Sequence, residues 1–373
     1  MSIVKGAAAF NIKNGEDYTQ ERARARELAS LFESQMRAFQ RRNFEESHET
    51  MLYWHESFYD ILKNDAVETP PEETWLRPSM IGSDERALWY NLNGFKSDEE
   101  LAIERAKDLQ PDYKTRWQGI GTVVGDFWQK QVLSAEFWSH KLPTVKFDFA
   151  FLRLHRNYGH GAKYYPAFEE FTRTTSDIEG VPVHGTCDGV LEYVPEHENL
   201  GRDYQGLRIG FEIKSKQTTY ASTGHYSMKG EDPKHVQQAK TYALMYGLDY
   251  YFFVYQNCSK KGWNISPDDQ AKYPDLRVFG IYISPEEKAA HTEYLRKLYN
   301  LKDSNELPKL DLLRWNFNSH KEVITANLTS QDMEYLIDQR NMIVDGKYSA
   351  FEKRCAADAY EDIVSRLEGR EQS

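Results

Sequence analysis

Five stretches rich in β-branched and aromatic residues, each bounded by turn formers, limit what this chain can fold into more than anything else in it. They are TVKFDFAFLRL (residues 144–154), VHGTCDGVLEYV (183–194), LRIGFEIKSK (207–216), DYYFFVYQN (249–257) and LRVFGIYIS (276–284). One helix-patterned stretch, DPKHVQQAKTYALMYG (232–247), lies between the third and the fourth, with Pro233 placed for a first turn and Gly247 for a C-terminal stop. The order helix, three strands, helix, strand predicts an α/β fold, with a mixed central β-sheet flanked by helices.

Residues 16–64 are charged and free of proline, and Leu28, Leu31, Phe32, Met36 and Phe39 recur at three- and four-residue steps, the pattern of an amphipathic helix. NDAVETPPEETW (64–75) reads as a linker, with a boundary near Pro71. Beyond it, SDERALWYNLNG reads as a helix capped by Ser83, and SDEELAIERAKDL as one opened by a Ser97 capping box. RWQGIGTVVGDFWQKQVL reads as a helix entered through Gly119 and Gly121, whose lack of a side chain would admit a neighbouring strand. From Pro285 onward the chain is mostly helical. The expected organisation is a helical N-terminal region (1–70), an α/β core (75–300) and a helical C-terminal region (301–373).

A chain of 373 residues can bury a large core, so composition matters chiefly for what it excludes. Fifty-eight acidic residues against 47 basic ones give a net charge of −11, which rules out coating nucleic acid by bulk positive potential and requires any polyanion to be met at a local site. Cys187, Cys258 and Cys355 are odd in number and widely spaced, which fits neither a disulfide framework nor paired zinc knuckles. The N-terminal stretch lacks a leader pattern, and the longest aromatic-aliphatic run, YYFFVY, is too short to span a bilayer. A cytoplasmic protein with no membrane partner is expected.

The otherwise apolar LRIGFEIKSK carries Glu212 and Lys214 two residues apart. Side chains alternate along a strand, so these two share one face while Ile213 takes the other. A hairpin through VPEHENLGRDYQG (194–206) would set Asp188, just before Gly189, beside Glu212. Two adjacent carboxylates repel unless a cation lies between them, and hard oxygen donors of this kind suit Mg²⁺ or Mn²⁺. Such an ion, with a lysine ammonium beside it, meets the demands of phosphodiester hydrolysis. In the helix that follows, Gln238 and Tyr242 share a face, with His235 one turn before them. The plainer reading makes Glu212 and Lys214 a solvated strand face and Tyr242 core filler, and an isolated ExK triplet would favour it. The pairing with Asp188 and the helix that follows tip the balance toward a metal site.

Three pieces, Gly185-Thr-Cys-Asp188 (GxxD), Glu212-Ile213-Lys214 (ExK) and Gln238-Ala-Lys-Thr-Tyr242 (QxxxY), resemble in order and spacing the motifs of the PD-(D/E)XK nuclease superfamily. The branch they resemble is the RecB-like one, which includes lambda exonuclease and the CRISPR-associated RecB-like exonucleases. The resemblance covers roughly residues 75–256 and implies a restriction-endonuclease-like core. It further implies that Asp188 and Glu212 bind Mg²⁺ or Mn²⁺ together with the main-chain carbonyl of Ile213, that Lys214 is catalytic, and that Gln238 and Tyr242 support the site. In RPSMIGSDERALWY (77–90), it makes Arg77, Ser79 and Arg86 candidate phosphate contacts, beside a reading in which Ser79 starts a helix and the arginines are solvated. Lys216 is a further candidate DNA contact, or the solvated end of its strand.

Two departures stand out. Relatives carry a G-x-x-x-H histidine as an extra metal ligand, whereas this chain has Gly121-Thr-Val-Val-Gly125, with Asp126 next to it as the candidate replacement. Some relatives hold an iron–sulfur cluster through four cysteines; here Cys355 remains, while Asp358, Val364 and Asp84 stand at the other places, so no cluster is expected and Cys355 reads as a small buried hydrophobe.

The activity implied is that of a Mg²⁺-dependent deoxyribonuclease, an exonuclease of DNA recombination, repair or phage DNA metabolism in a bacterial or phage-infected cytoplasm. A structure-selective endonuclease, and a DNA-binding protein that keeps the fold without cleavage, are the alternatives. Candidate partners are DNA, a recombination or replication protein, and a second copy of the chain. Lys214, Lys216, Lys229, Lys234 and Lys240 cluster around the candidate site, whereas Arg22, Arg24, Arg26, Arg37, Arg41 and Arg42 read as a solvated helix face balanced by glutamates.

Overall fold

The computed structural model describes residues 18–64, 75–106, 108, 111–158, 161–172, 174–195 and 206–371. The N-terminal stretch before residue 18, most of the expected linker at 64–75 and most of the hairpin connection at 194–206 lie outside the described residues. Along the chain the helices are α1 (Thr19–Arg41), α2 (His48–Asn64), α3 (Glu85–Leu92), α4 (Asp98–Glu104), α5 (Asp112–Lys141), α6 (Glu169–Thr172), α7 (Pro233–Tyr246), α8 (Pro267–Lys272), α9 (Pro285–Tyr299), α10 (Lys321–Ala326), α11 (Ser330–Asp345) and α12 (Ala350–Glu371). The strands are β1 (Phe149–Phe151), β2 (Arg153–Asn157), β3 (Ala162–Pro166), β4 (Thr174–Ile178), β5 (Val181–Gly185), β6 (Gly189–Tyr193), β7 (Leu207–Lys216), β8 (Tyr250–Asn257) and β9 (Leu276–Tyr282).

The chain divides into two compact units. The first holds the described residues of Met1–Pro70, Asp112–Ile178 and His184–His291, and the second those of Pro71–Pro111, Glu179–Val183 and Thr292–Ser373. This differs from three consecutive regions: the N-terminal helices share a unit with the sheet, and the segment after Pro71 shares one with the C-terminal helices. An amphipathic helix buries its stripe against whichever face complements it, and sequence proximity does not decide which.

In the first unit β1, β6, β7, β8 and β9 form, in that order, a mixed central sheet flanked by helices. β7 and β8 run parallel and the other neighbours antiparallel. Parallel neighbours need a crossover, and α7 supplies it. The Asp232 side chain caps α7 by accepting from the Lys234 N–H at 2.9 Å, Pro233 opens the helix, and Gly247 ends it in the left-handed region at φ 67°.

Two stretches expected as single strands are broken. Residues 144–154 split after Phe151, because β2 leaves the central sheet to pair with β3, a hairpin too polar to be read from the sequence. Residues 183–194 split into β5 and β6, leaving Asp188 outside the ladder at the mouth of β6.

The alternation along β7 divides the unit's interior. Its apolar face packs on α1, whose buried residues Ala25, Leu28, Ala29, Phe32, Met36 and Phe39 keep the expected spacing, while Leu31 is only half-buried. Phe32 sits with its ring centroid 5.3–5.9 Å from those of Phe147, Phe149, Phe211 and Phe252. Truncating so central a ring to alanine costs about 3–5 kcal/mol. α1 also closes the outer edge of β9, where Glu33 accepts from the Val278 N–H at 2.9 Å and Arg37 donates to the Leu276 carbonyl at 2.6 Å. α5 begins at Asp112, so Gly119 and Gly121 lie inside it and are not its entry; a Cβ on Gly121 would stand 3.5 Å from Ser215 Oγ, so α5 passes close to the end of β7.

The second unit has its own core, in which Trp315, Leu336, Ala356, Ala359 and Ile363 are fully buried with Ala87 and Tyr90 of α3. Asp84, and not Ser83, caps α3: one oxygen accepts from the Ala87 N–H at 2.9 Å and the other from the Asp311 N–H at 2.8 Å. The Ser97–Glu100 capping box opens α4 as read. Cys355 is half-buried beside Ala356, a correction to its expected full burial.

Candidate active site

β6 and β7 pair with Gly189 opposite Phe211, so one step further in this antiparallel register Asp188 stands across from Glu212. The Ile213 N–H donates to Asp188 Oδ2 at 2.5 Å, which fixes that carboxylate against the strand. Glu212 is buried; its Oε1 accepts from Lys214 Nζ at 2.6 Å and its Oε2 from the Tyr251 hydroxyl at 3.2 Å. Lys214 Nζ also donates to Gln238 Oε1 on α7 at 3.2 Å, and buried Tyr242, one turn further, is hydrogen-bonded to Gln238. Asp188, Glu212, Lys214, Gln238 and Tyr242 thus converge on one face of β7.

Tyr251 is the partner that sequence reasoning missed, because in an aromatic strand every ring reads as core. Its ring lies over Gly210, where a Cβ would be 2.1 Å from a ring carbon, and this close approach lets the hydroxyl reach Glu212. A glycine inside a bulky strand was the available signal.

The charges on this face do not balance. Burial, then the charge of Glu212, push the Asp188 carboxyl well above the usual carboxylate range; Lys214 and the Ile213 N–H counter this only in part, and Glu169 adds to it. Burial would lower the Lys214 ammonium, but Glu212 and Asp188 outweigh it and hold the group above its ordinary value. The Tyr242 and Tyr251 hydroxyls are pushed up by burial and then by Glu212, so both remain donors. Burial likewise keeps the Cys187 thiol protonated. His235 is driven down to about 4 by burial and the nearby Lys214, and its Nδ1 lies 2.9 Å from the Tyr255 hydroxyl.

Among the described residues no three His, Cys, Asp or Glu side chains gather into a metal cage. The donors on offer are two carboxylates and the Ile213 carbonyl, all hard oxygens. A Mg²⁺ ion fits such a set, because it keeps several waters and takes few protein ligands.

The remaining candidates take no part in these hydrogen bonds. Arg77 and Ser79 are exposed in the second unit. Arg86 is buried there, with Nε donating to the Pro308 carbonyl and Nη2 to Asp332 Oδ1, both at 2.6 Å. Lys216 is half-buried at the end of β7, its Nζ 5.5 Å from the Tyr255 ring centroid. Burial raises the Asp126 carboxyl, Lys130 is its charge neighbour, and among the described residues no hydrogen bond joins it to Asp188 or Glu212. A Cβ on Gly125 would meet nothing within 4 Å. On α1, Arg24 and Arg37 pair with Glu21 and Glu33, as a balanced helix face should.

No known family model matches the chain, and neither does any curated protein. Among solved structures, the crystal structure of SSO0001 is similar to it at 12% identity, covering 76% of this chain and 100% of its own, with a TM-score of 0.35. A likeness of that size carries no argument about function. Among the described residues no helix is long and apolar enough to cross a membrane.

Proposed function

We propose that this chain is a metal-dependent nuclease that hydrolyses phosphodiester bonds in DNA, working from ends. One observation carries the reading: Asp188 and Glu212 face each other across β6 and β7 with a single ammonium, Lys214, held between Glu212 and Gln238. Two acids against one base on a buried face favour uptake of a further cation. Asp188, Glu212 and the Ile213 carbonyl would hold Mg²⁺ or Mn²⁺. When bound, such an ion supplies Lewis-acid stabilisation of the charge that develops on phosphoryl oxygens.

The chain's own groups account for the rest. An ammonium has three donors, and Lys214 spends two of them on Glu212 and Gln238, which leaves one for a phosphate oxygen. Tyr251 fixes the Glu212 carboxylate through Oε2, and Tyr242, one turn along α7, holds the Gln238 side chain. Hydrolysis in this reading takes water as the attacking group. Action at ends follows the exonucleases that the three motifs GxxD, ExK and QxxxY resemble.

The test is incubation with end-labelled linear, nicked and circular DNA, with and without Mg²⁺ or Mn²⁺, beside Lys214→Ala. Linear DNA is expected to be degraded only with metal, and the variant to be slower by on the order of 10³-fold. Cleavage of closed circles would replace the exonuclease by an endonuclease. No metal-dependent cleavage of any substrate, or equal rates in the variant, would sink the assignment.

A further inference from the structure

The C-terminal end of β7 carries a feature that the candidate active site does not use. Beyond Lys216 the chain turns through residues 217–223, and around this turn aromatic side chains stand open to solvent. Trp263 is 91% exposed and lines a cavity of about 260 Å³ together with Tyr220, Lys260 and Tyr273. Tyr220 and Tyr273 meet edge to face with centroids 5.2 Å apart. On α5, the Trp117 carbonyl accepts from Gln217 Nε2 at 3.0 Å, and the Trp117 side chain is 49% exposed.

This rim is held in place. Asn257 Nδ2 donates to the carbonyls of Thr219 and Tyr220 at 3.0 and 3.1 Å, and the Cys258 N–H donates to the Lys216 carbonyl at 2.8 Å. The 258–275 segment therefore leaves from the sheet end toward which Lys214 and Lys216 lead. At the rise of a strand, Lys216 lies about 7 Å beyond Lys214. Cations interleave with the rings: Lys260 Nζ is 5.9 Å from the Trp263 centroid, and Lys261 neutralises Asp269 at 3.0 Å. Exposed rings alternating with lysines, beside a phosphate-cleaving centre, complement the flat faces and phosphates of an unpaired strand; the bases of a duplex have those faces already covered.

We propose that this rim is a base-stacking platform: unpaired nucleotides stack on Trp263, with Tyr220 in the same cavity and Trp117 against Gln217 of the adjoining turn, while Lys216 and Lys260 meet the phosphates. DNA would then reach Lys214 as a single strand. The inference rests on the nuclease reading for its purpose, but binding tests it separately.

The measurement is fluorescence anisotropy in EDTA, where no cleavage occurs, with a labelled 20-nucleotide single strand, its duplex, and a single strand of the same length made of abasic sites. Trp263→Ala is expected to weaken binding of the single strand about tenfold, the scale of one lost base stack, while Trp263→Phe retains most of the affinity. Affinities for the duplex and the abasic strand are expected to stay unchanged. The platform is overturned if the native chain does not bind the single strand, if Trp263→Ala binds it equally well, or if the duplex or abasic strand loses as much. A change in self-association with DNA affinity intact would assign the rim to a protein contact and overturn it too. Stacking without metal-dependent cleavage would remove the nuclease reading alone.

Discussion

Arg86–Asp332 in the second unit and Lys214–Glu212 in the first are both ion pairs of one buried and one half-buried partner, with N···O distances of 2.6 Å. The first is closed. Asp332 completes a capping box with Thr329 on α11; burial would raise its carboxyl, but the bonds from Arg86 and Thr329 outweigh this and hold it below the usual range. Arg86 gives a further donor to the Pro308 carbonyl. The second pair shares its ammonium with Asp188, whose carboxyl is forced well up. Contact distance does not separate a pair whose charges are closed from one set beside a further acid; the charge left over around it does.

The contrast can be broken in four ways. Glu212→Gln should lower metal-dependent cleavage by on the order of 10³-fold while the circular dichroism spectrum stays native. Arg86→Ala should act on stability, costing about 3 kcal/mol in urea titration because the two hydrogen bonds of the buried guanidinium are lost; a cost below 1 kcal/mol would mean that the pair is not structural.

A third test concerns His291, buried in the first unit with Nε2 2.8 Å from Thr241 Oγ1. Burial, with Lys240 nearby, lowers it to about 4. Its folded value lies below its unfolded one, so its contribution is complete above about pH 6.5 and drains away as pH falls toward 4. The unfolding free energy from urea titration should therefore drop by on the order of 2–3 kcal/mol across that window on account of this group, and His291→Gln should remove that share, leaving the part due to His235, which is also lowered to about 4.

The smallest effect has the opposite sign. The Asp188 carboxyl holds its proton more tightly folded than unfolded, so it contributes stability below the ordinary carboxylate range that is lost as pH rises through its raised value. Asp188→Asn should thus be about 1 kcal/mol more stable than the native chain at pH 8 without metal, with the gain fading toward pH 4 and cleavage abolished. Equal stability at both pH values would remove the imbalance on which the comparison rests.

The sequence carried the fold where periodicity is strong. The amphipathic stripe of α1, the caps of α7 and the alternation of β7 follow from local pattern and reappear in the structure. It failed where tertiary pairing overrides local preference: β2 turning away to β3, and the segment after Pro71 joining the C-terminal helices. Glu212, Lys214, Gln238 and Tyr242 were legible because strand and helix periods fix which side chains share a face. Tyr251 was hidden because its role depends on an adjacent strand. Arg86 looked available only because a sequence does not show which arginines are already paired.

Gly210 has no functional group, yet the Tyr251 ring occupies the space where its side chain would begin. Any missense change at that codon adds at least a methyl group there and pushes the ring off the strand, taking the hydroxyl away from Glu212. Every charged residue of the centre would survive such a lesion, and a comparison of motifs would score the protein as intact. A heritable change therefore has a route through this position that disturbs the candidate centre and leaves its motifs unmarked.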